Sequence, residues 1–439
     1  MKKFFSVIGY FIMSVLLFLG GVLLDASPSA DIITDVEKQV ADLDDTDDDD
    51  DPDDTGDPDD TGDPDDTGDP DDTGDPDDTG DRDNTGDPDN TDDPDNTDDP
   101  DGDKENESDQ FLYYYSLLDD REKGYYDQIS EAVASEEESV MLQGITYEEA
   151  DPIFVSVQYD HPEYFWCEGS YTYRNGDDYV QFIFNYNCTG EEKDNREKVI
   201  EQQADEILAE LPSDSSDYEK VKYVFETLVD RTDYDKAAPE NQNIYSVFGN
   251  WTTVCAGYAK ATKYLLDQMD VDCIYVTGTA GESHAWNIVN CDGNYYYVDT
   301  TWGDPTYQEG IGVDVNTTAY EYLCCPGEML LRTHTPDAAF PLPECTDTSL
   351  EYYMLEGRYL TSADKDAILD IMEKDIDENA ERTDIQFSDP QVYDQVMAQL
   401  EAILQEAMAY ETTVKGEDAG GVSYQYNENT CKITVFWNE

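Results

Sequence analysis

The stretch that decides the fold runs Val254-Cys-Ala-Gly-Tyr-Ala-Lys-Ala-Thr-Lys-Tyr-Leu-Leu266 and resumes at Ser283-His-Ala-Trp-Asn-Ile-Val-Asn-Cys-Asp-Gly-Asn-Tyr-Tyr-Tyr-Val-Asp-Thr-Thr-Trp-Gly-Asp-Pro305. The first half reads as a helix opening at Cys255, with Tyr258, Ala261, Leu265 and Met269 at helical spacing. A thiol at a helix N-terminus feels the positive end of the macrodipole, which favours thiolate. Ala256 and Gly257 add no bulk near the sulfur. The competing reading of Cys255 is a buried small hydrophobe.

The second half reads as a hairpin. Asp292-Gly293 is a two-residue turn signal between two apolar, aromatic runs. If those residues form the loop, Cys291 pairs with Asn294, and each facing pair of residue numbers sums to 585. Asp299 then lies opposite Trp286, and His284 is two residues along the same strand, on the same face. The two are diagonal neighbours, in reach for a carboxylate on an imidazole nitrogen. A slip of one residue would separate them onto opposite faces. A structural histidine is the competing reading of His284.

These residues, Val-Cys-Ala-Gly-Tyr-Ala-Lys-Ala, then His-Ala-Trp-Asn, then Tyr-Tyr-Val-Asp-Thr-Thr-Trp-Gly-Asp-Pro, resemble bacterial transglutaminase-like proteins of the papain-like cysteine enzyme superfamily. Asp160-His-Pro-Glu-Tyr-Phe-Trp166 and Tyr320-Glu-Tyr-Leu-Cys-Cys-Pro-Gly-Glu-Met329 look like the usual flanks, so the resemblance extends from about Ser108 to about Asp337. It implies Cys255 as nucleophile, His284 as base and Asp299 as orienter. It implies an α+β fold: a papain-like, transglutaminase-like core with N-terminal helices packed on an antiparallel sheet. No cofactor and no metal are expected. Many relatives carry a polar residue, often Gln, after the nucleophile; Ala256 stands there in this chain, which leaves the oxyanion donors open. His334 is a domain-edge residue on the family pattern, and His161 reads as structural.

At 439 residues the chain is long enough for several domains. Its formal charge is −82. Residues 42–109 hold 36 acids and two bases, so the remainder still carries −48. Such a surface repels nucleic acid and anionic membranes and attracts cationic peptides. Nine cysteines, none in a C-x-x-C pair, argue against structural zinc. Disulfide pairing stays open.

Met1-Lys-Lys3 followed by 21 uncharged residues, Phe4 to Leu24, reads as an export signal. Cleavage near Ala26 or Ala30 and retention as an N-terminal membrane anchor are both open. The protein is therefore expected to be secreted or extracytoplasmic. Residues 31–109 form an acidic linker whose centre, Asp51 to Asp98, is eight hexapeptides beginning Asp-Pro-Asp-Asp-Thr-Gly. It has nothing apolar to bury, so disorder and a spacer role are expected. Calcium binding is the sharper alternative, although the spacing does not match an EF-hand loop.

Residues 110–190 read as a helical and hairpin subdomain, with helices at 117–134 and 147–157 and a hairpin turning at Asn175-Gly176. Residues 191–345 form the catalytic region, with amphipathic helices at 191–211 and 218–229 and a connector at 241–248. Tyr245 and Trp251 are candidates for lining the site, with core packing the plainer role. Residues 346–439 suggest a small C-terminal α+β domain: a strand at 352–360, a helix at 363–376, a strand at 383–387, a helix at 390–409 and a closing hairpin. The function this implies is an exported cysteine enzyme, a monomer, acting on amide bonds of protein or peptide substrates, cell-envelope peptides among them, through a thioester. Crosslinking and hydrolysis both remain open. The alternative is a non-catalytic cell-surface binding module that keeps the fold.

Overall fold

The turn at Asp292-Gly293 is an exposed hairpin turn in the computed structural model, which describes residues 110–176, 178–304, 318–416 and 422–437 and the backbone of Gln39–Val40. Both turn residues have positive φ, 53° and 86°, as a two-residue hairpin turn matched to strand twist requires. The export segment and acidic repeat lie outside the described residues. Among the described residues, no helix is long and apolar enough to cross a membrane.

Before the turn come helices α1 (Tyr113–Leu117) and α2 (Asp120–Ala134), strand β1 (Ser139–Gln143), helix α3 (Tyr147–Asp160) and strands β2 (Cys167–Gly176) and β3 (Tyr179–Tyr186). The expected single helix from 117 breaks because Asp119 starts a capping box with Glu122. The first hairpin also turns later than expected. Gly176 pairs with Tyr179, so Asn175-Gly176 belongs to the strand. Helices α4 (Glu191–Leu208) and α5 (Asp217–Arg231) follow, then α6 (Ile244–Asn250), capped by Asn243, where a connector was expected.

Helix α7 (Cys255–Asp267) is buried nearly all round, including Tyr258, Ala259, Ala261, Leu265 and Leu266. A helix apolar on every side belongs in the middle of a core. It lies on a sheet of β4 (Cys273–Ala280), β5 (Glu282–Cys291) and β6 (Asn294–Val298), ordered with an edge strand at Thr335–Pro336 beside β4. Ala259, Tyr275 and Ala285 pack together at the helix–sheet contact. Polar ties fix the helix lengthwise. Asn287 Nδ2 donates to the Ala259 carbonyl at 3.0 Å. At the other end Lys263, 1 % exposed, pairs with Asp267 at 2.9 Å and donates to the Cys273 carbonyl at 3.0 Å. The opposite sheet face carries Ile274, Val276, Trp286, Ile288 and Tyr297. Covered on both faces, β4 is buried throughout except at Thr279.

The C-terminal residues form a second cluster around Ile368, Met372, Ile385, Val396, Ile403, Ile433 and Val435. Helices α8 (Lys365–Asp377), α9 (Pro390–Met397) and α10 (Leu400–Lys415) accompany a four-stranded sheet ordered Tyr359–Leu360, Arg382–Phe387, Lys432–Trp437, Val422–Asn427. The strand expected at 352–360 is a helical turn at Tyr352–Leu355 followed by two strand residues. Glu351 accepts from the Met354 N–H and starts that turn. The long helix expected at 390–409 is two helices.

Lys432 ties this cluster to the segment at 320–322: its Nζ is 2.9 Å from Glu321 Oε2, and Glu321 is 4 % exposed. Lys432→Met is expected to strand that carboxylate and cost about 3 kcal/mol, the lower end for a broken buried pair. Urea unfolding measures it, and an unchanged midpoint would show that the pair contributes nothing.

Candidate active site

Three elements converge on the site: the start of α7, the start of β5 and the end of β6. Val254, the residue before α7, has an extended backbone and offers no side-chain cap. The N–H groups of the first turn are those a helix leaves without intrahelical partners. Gly257 is also required by the segment that precedes the helix. A Cβ there would collide with Thr253 Oγ1, so the glycine lets the helix start close against the preceding strand residue. Cys255 is 3 % exposed at this junction.

The hairpin register is the expected one. Cys291 pairs with Asn294 and Asn287 with Val298, and β6 ends one residue before Asp299. His284 and Asp299 therefore meet on one face, with Nε2 2.8 Å from Oδ2. That contact leaves Nδ1 as the other ring nitrogen of His284, and the nearby Cys255 thiol helps to favour the charged ring. Asp299 also starts a helical turn at Thr300–Gly303, and its Oδ1 accepts from the Trp302 backbone N–H at 3.1 Å. Thr262 and Thr300 join this turn to α7 through their hydroxyls at 3.0 Å.

Burial works against a charge on His284, but the Asp299 carboxylate, its hydrogen bond and the Cys255 contact outweigh it and push the imidazolium up to about 10. Burial likewise opposes ionisation of Asp299. The His284 charge and the hydrogen bonds from His284 and His334 hold it well below the usual carboxylate range. The raised imidazole stabilises the fold below its ordinary value of about 6.5 and loses that contribution as pH climbs toward 10. The depressed carboxylate contributes above about 4 and loses its share in stronger acid. The pair is thus at its firmest between those limits.

His334 is not at a domain edge. Its side chain is fully buried, with Nε2 3.0 Å from the same Asp299 Oδ2. Nothing near it in sequence signals this, because it lies 35 residues from Asp299. The available signal was Gly278, a glycine inside a strand, which marks close backbone approach. A Cβ there would strike the Thr335 carbonyl, Pro336 and Trp286, so the glycine admits the edge strand that follows His334. His284, Asp299 and His334 offer ligand atoms within 4.8 Å of one another, a spacing that one metal ion would accept. The two short N–H contacts to Oδ2 account for the cluster as a hydrogen-bonded chain.

The remaining candidates lie elsewhere. Tyr245 faces Phe165 and the Arg196 guanidinium, and Trp251 packs on Phe248. His161 bonds Glu163 at 2.6 Å and stacks on Tyr164. All nine cysteines are free and buried.

A thiol beside an imidazole that a buried carboxylate holds is the layout of the papain-like class, here on a mixed helix-and-sheet fold. Residues 203–300 match the transglutaminase-like superfamily, so the chain carries a domain of that family. The matched region includes Cys255, His284 and Asp299 and stops short of His334. Among curated proteins, the kyphoscoliosis peptidase of Homo sapiens is 27% identical over 149 residues, covering 30% of this chain and 21% of the relative. That of Mus musculus is 26% identical over 148 residues, covering 29% and 21%. The chain thus spans about a fifth of the length of the curated relatives it matches. Similar solved structures include a transglutaminase, 16% identical with a TM-score of 0.23, covering 30% of this chain and 44% of that one. Another is a proposed cysteine protease from Cytophaga hutchinsonii, 14% identical with a TM-score of 0.22, covering 31% and 63%.

Proposed function

We propose that this protein is an exported cysteine enzyme that opens amide bonds of protein or peptide substrates. The observation that carries the reading is the buried His284–Asp299 pair, Nε2 to Oδ2 at 2.8 Å, with the Cys255 thiol near the same imidazole. Nδ1 of His284 takes the thiol proton, and the thiolate attacks the amide carbonyl. Backbone N–H groups at the start of α7 support the oxyanion. The imidazolium then protonates the leaving amine, and a Cys255 thioester remains. A second amine resolves it to a crosslink and water resolves it to an acid. The chain's charge of −82 favours cationic peptide substrates. Acting as a monomer outside the cytoplasm, with the acidic repeat as a spacer, the domain would meet such peptides at the cell envelope.

The second reading is a non-catalytic surface module that keeps the fold. The 3 % exposure of Cys255 favours it, since a buried thiol is also an ordinary packing residue. Thiol labelling separates the two. Near neutral pH, iodoacetamide is expected to alkylate Cys255 far faster than Cys273, which is 0 % exposed and whose thiol burial pushes above its usual range. Equal rates, read by peptide mass spectrometry, would sink the enzyme.

A further inference from the structure

The mechanism above leaves out His334, yet this ring is held on every side. Its Nε2 faces Asp299 Oδ2 at 3.0 Å, beside the His284 Nε2 at 2.8 Å. An ionised carboxylate only accepts, so both imidazoles direct N–H at that oxygen. On the far side, Nδ1 is 2.8 Å from Thr333 Oγ1 and 3.3 Å from the Leu330 carbonyl. The Thr333 hydroxyl also donates to the Leu330 carbonyl at 3.2 Å. The Asp299 carboxylate, which can only accept, places a proton on Nε2. The indole rings of Trp286 and Trp302, at 5.0 and 4.6 Å, close the remaining faces.

We propose that His334 is a positioning residue: its Nε2–H holds the Asp299 carboxylate in place and ionised while His284 gives up and regains its proton. This rests on the Cys255 reading above. In that cycle His284 alternates between imidazolium and imidazole. Each time it is neutral, the buried carboxylate loses the charge of the His284 ring. A buried anion with fewer donors takes up a proton or turns away. The His334 N–H stays on Oδ2 in both halves of the cycle and prevents this. The titratable groups around Asp299 are His284 on β5, His334 before the edge strand, Cys255 on α7 and Cys325 beside β6. No carboxylate or ammonium other than its own is among them. Its ionisation therefore depends on these two imidazoles and the Trp302 N–H.

The test is the rate of Cys255 alkylation by iodoacetamide against pH, on the full chain. His334→Phe keeps a ring in the aromatic enclosure and removes the donor. The rate's acid limb should move to higher pH by about one unit, a tenfold change at fixed pH. His334→Gln, whose amide N–H reaches about where Nε2 does, should recover most of the shift. Thr333→Val, which removes the hydroxyl that holds the Nδ1 side of the ring, should move the limb the same way by less. A structural role alone would lower the melting temperature and leave the limb in place. An unmoved limb in folded His334→Phe overturns the proposal. If that variant does not fold, an unmoved limb in Thr333→Val overturns it instead. Wild type that shows no rapid Cys255 labelling overturns the active-site reading along with it.

Discussion

Asp299→Asn is expected to lower turnover by about 10⁴, the loss seen when a serine-protease triad loses its orienting carboxylate, while the fold survives. Three donors converge on this side chain: His284 Nε2, His334 Nε2 and the Trp302 backbone N–H. A carboxylate accepts all three. An amide has one accepting oxygen and a donating NH₂, so at least one N–H meets another donor. The accessible relief is for His284 to change tautomer, with Nε2 accepting and the proton on Nδ1. That proton then faces Cys255 and blocks transfer from the thiol. The missing charge also removes what holds the imidazolium up to about 10. The measurement is Cys255 alkylation against pH, and overlaid wild-type and mutant profiles would uncouple Asp299 from the nucleophile.

Cys255→Ala is expected to cost more. In a triad enzyme, loss of the nucleophile lowers turnover by about 10⁶. Only one sulfur is removed from a 3 %-exposed position, so a two-state melt should change little. Incorporation of a fluorescent amine into a glutamine-bearing protein and cleavage of a labelled peptide mixture read the two outcomes of the thioester. Retention of either rate in the alanine variant would place the nucleophile elsewhere.

The contrast between these residues and His334 shows which parts of the site were legible in the sequence. His284 and Asp299 sit on strands joined by a two-residue turn. Turn chemistry fixes the register, and strand parity then fixes the faces. Cys255 follows from helical periodicity. His334 arrives from an irregular segment, whose course depends on close approach at Gly278 and on no local pattern. The same division explains the smaller misreadings. Asn175-Gly176 carries a strong turn signal, but pairing of Gly176 with Tyr179 keeps both residues in the strand. Tyr352-Tyr-Met-Leu355 has strand-like aromatic composition, but the Glu351 carboxylate caps it into a helical turn.

The Lys432 tie has a consequence in time. Glu321 adjoins Tyr322, whose carbonyl accepts the Asp299 N–H at 3.0 Å. Lys432 lies 111 residues beyond Glu321. In a chain made from its N-terminus, all three members of the Cys255 set emerge well before the cation that neutralises Glu321. Until then the Glu321 carboxylate beside the segment that backs Asp299 lacks its cation. The segment that backs Asp299 thus gains its counter-charge only once Lys432 has been made, well after Asp299 itself.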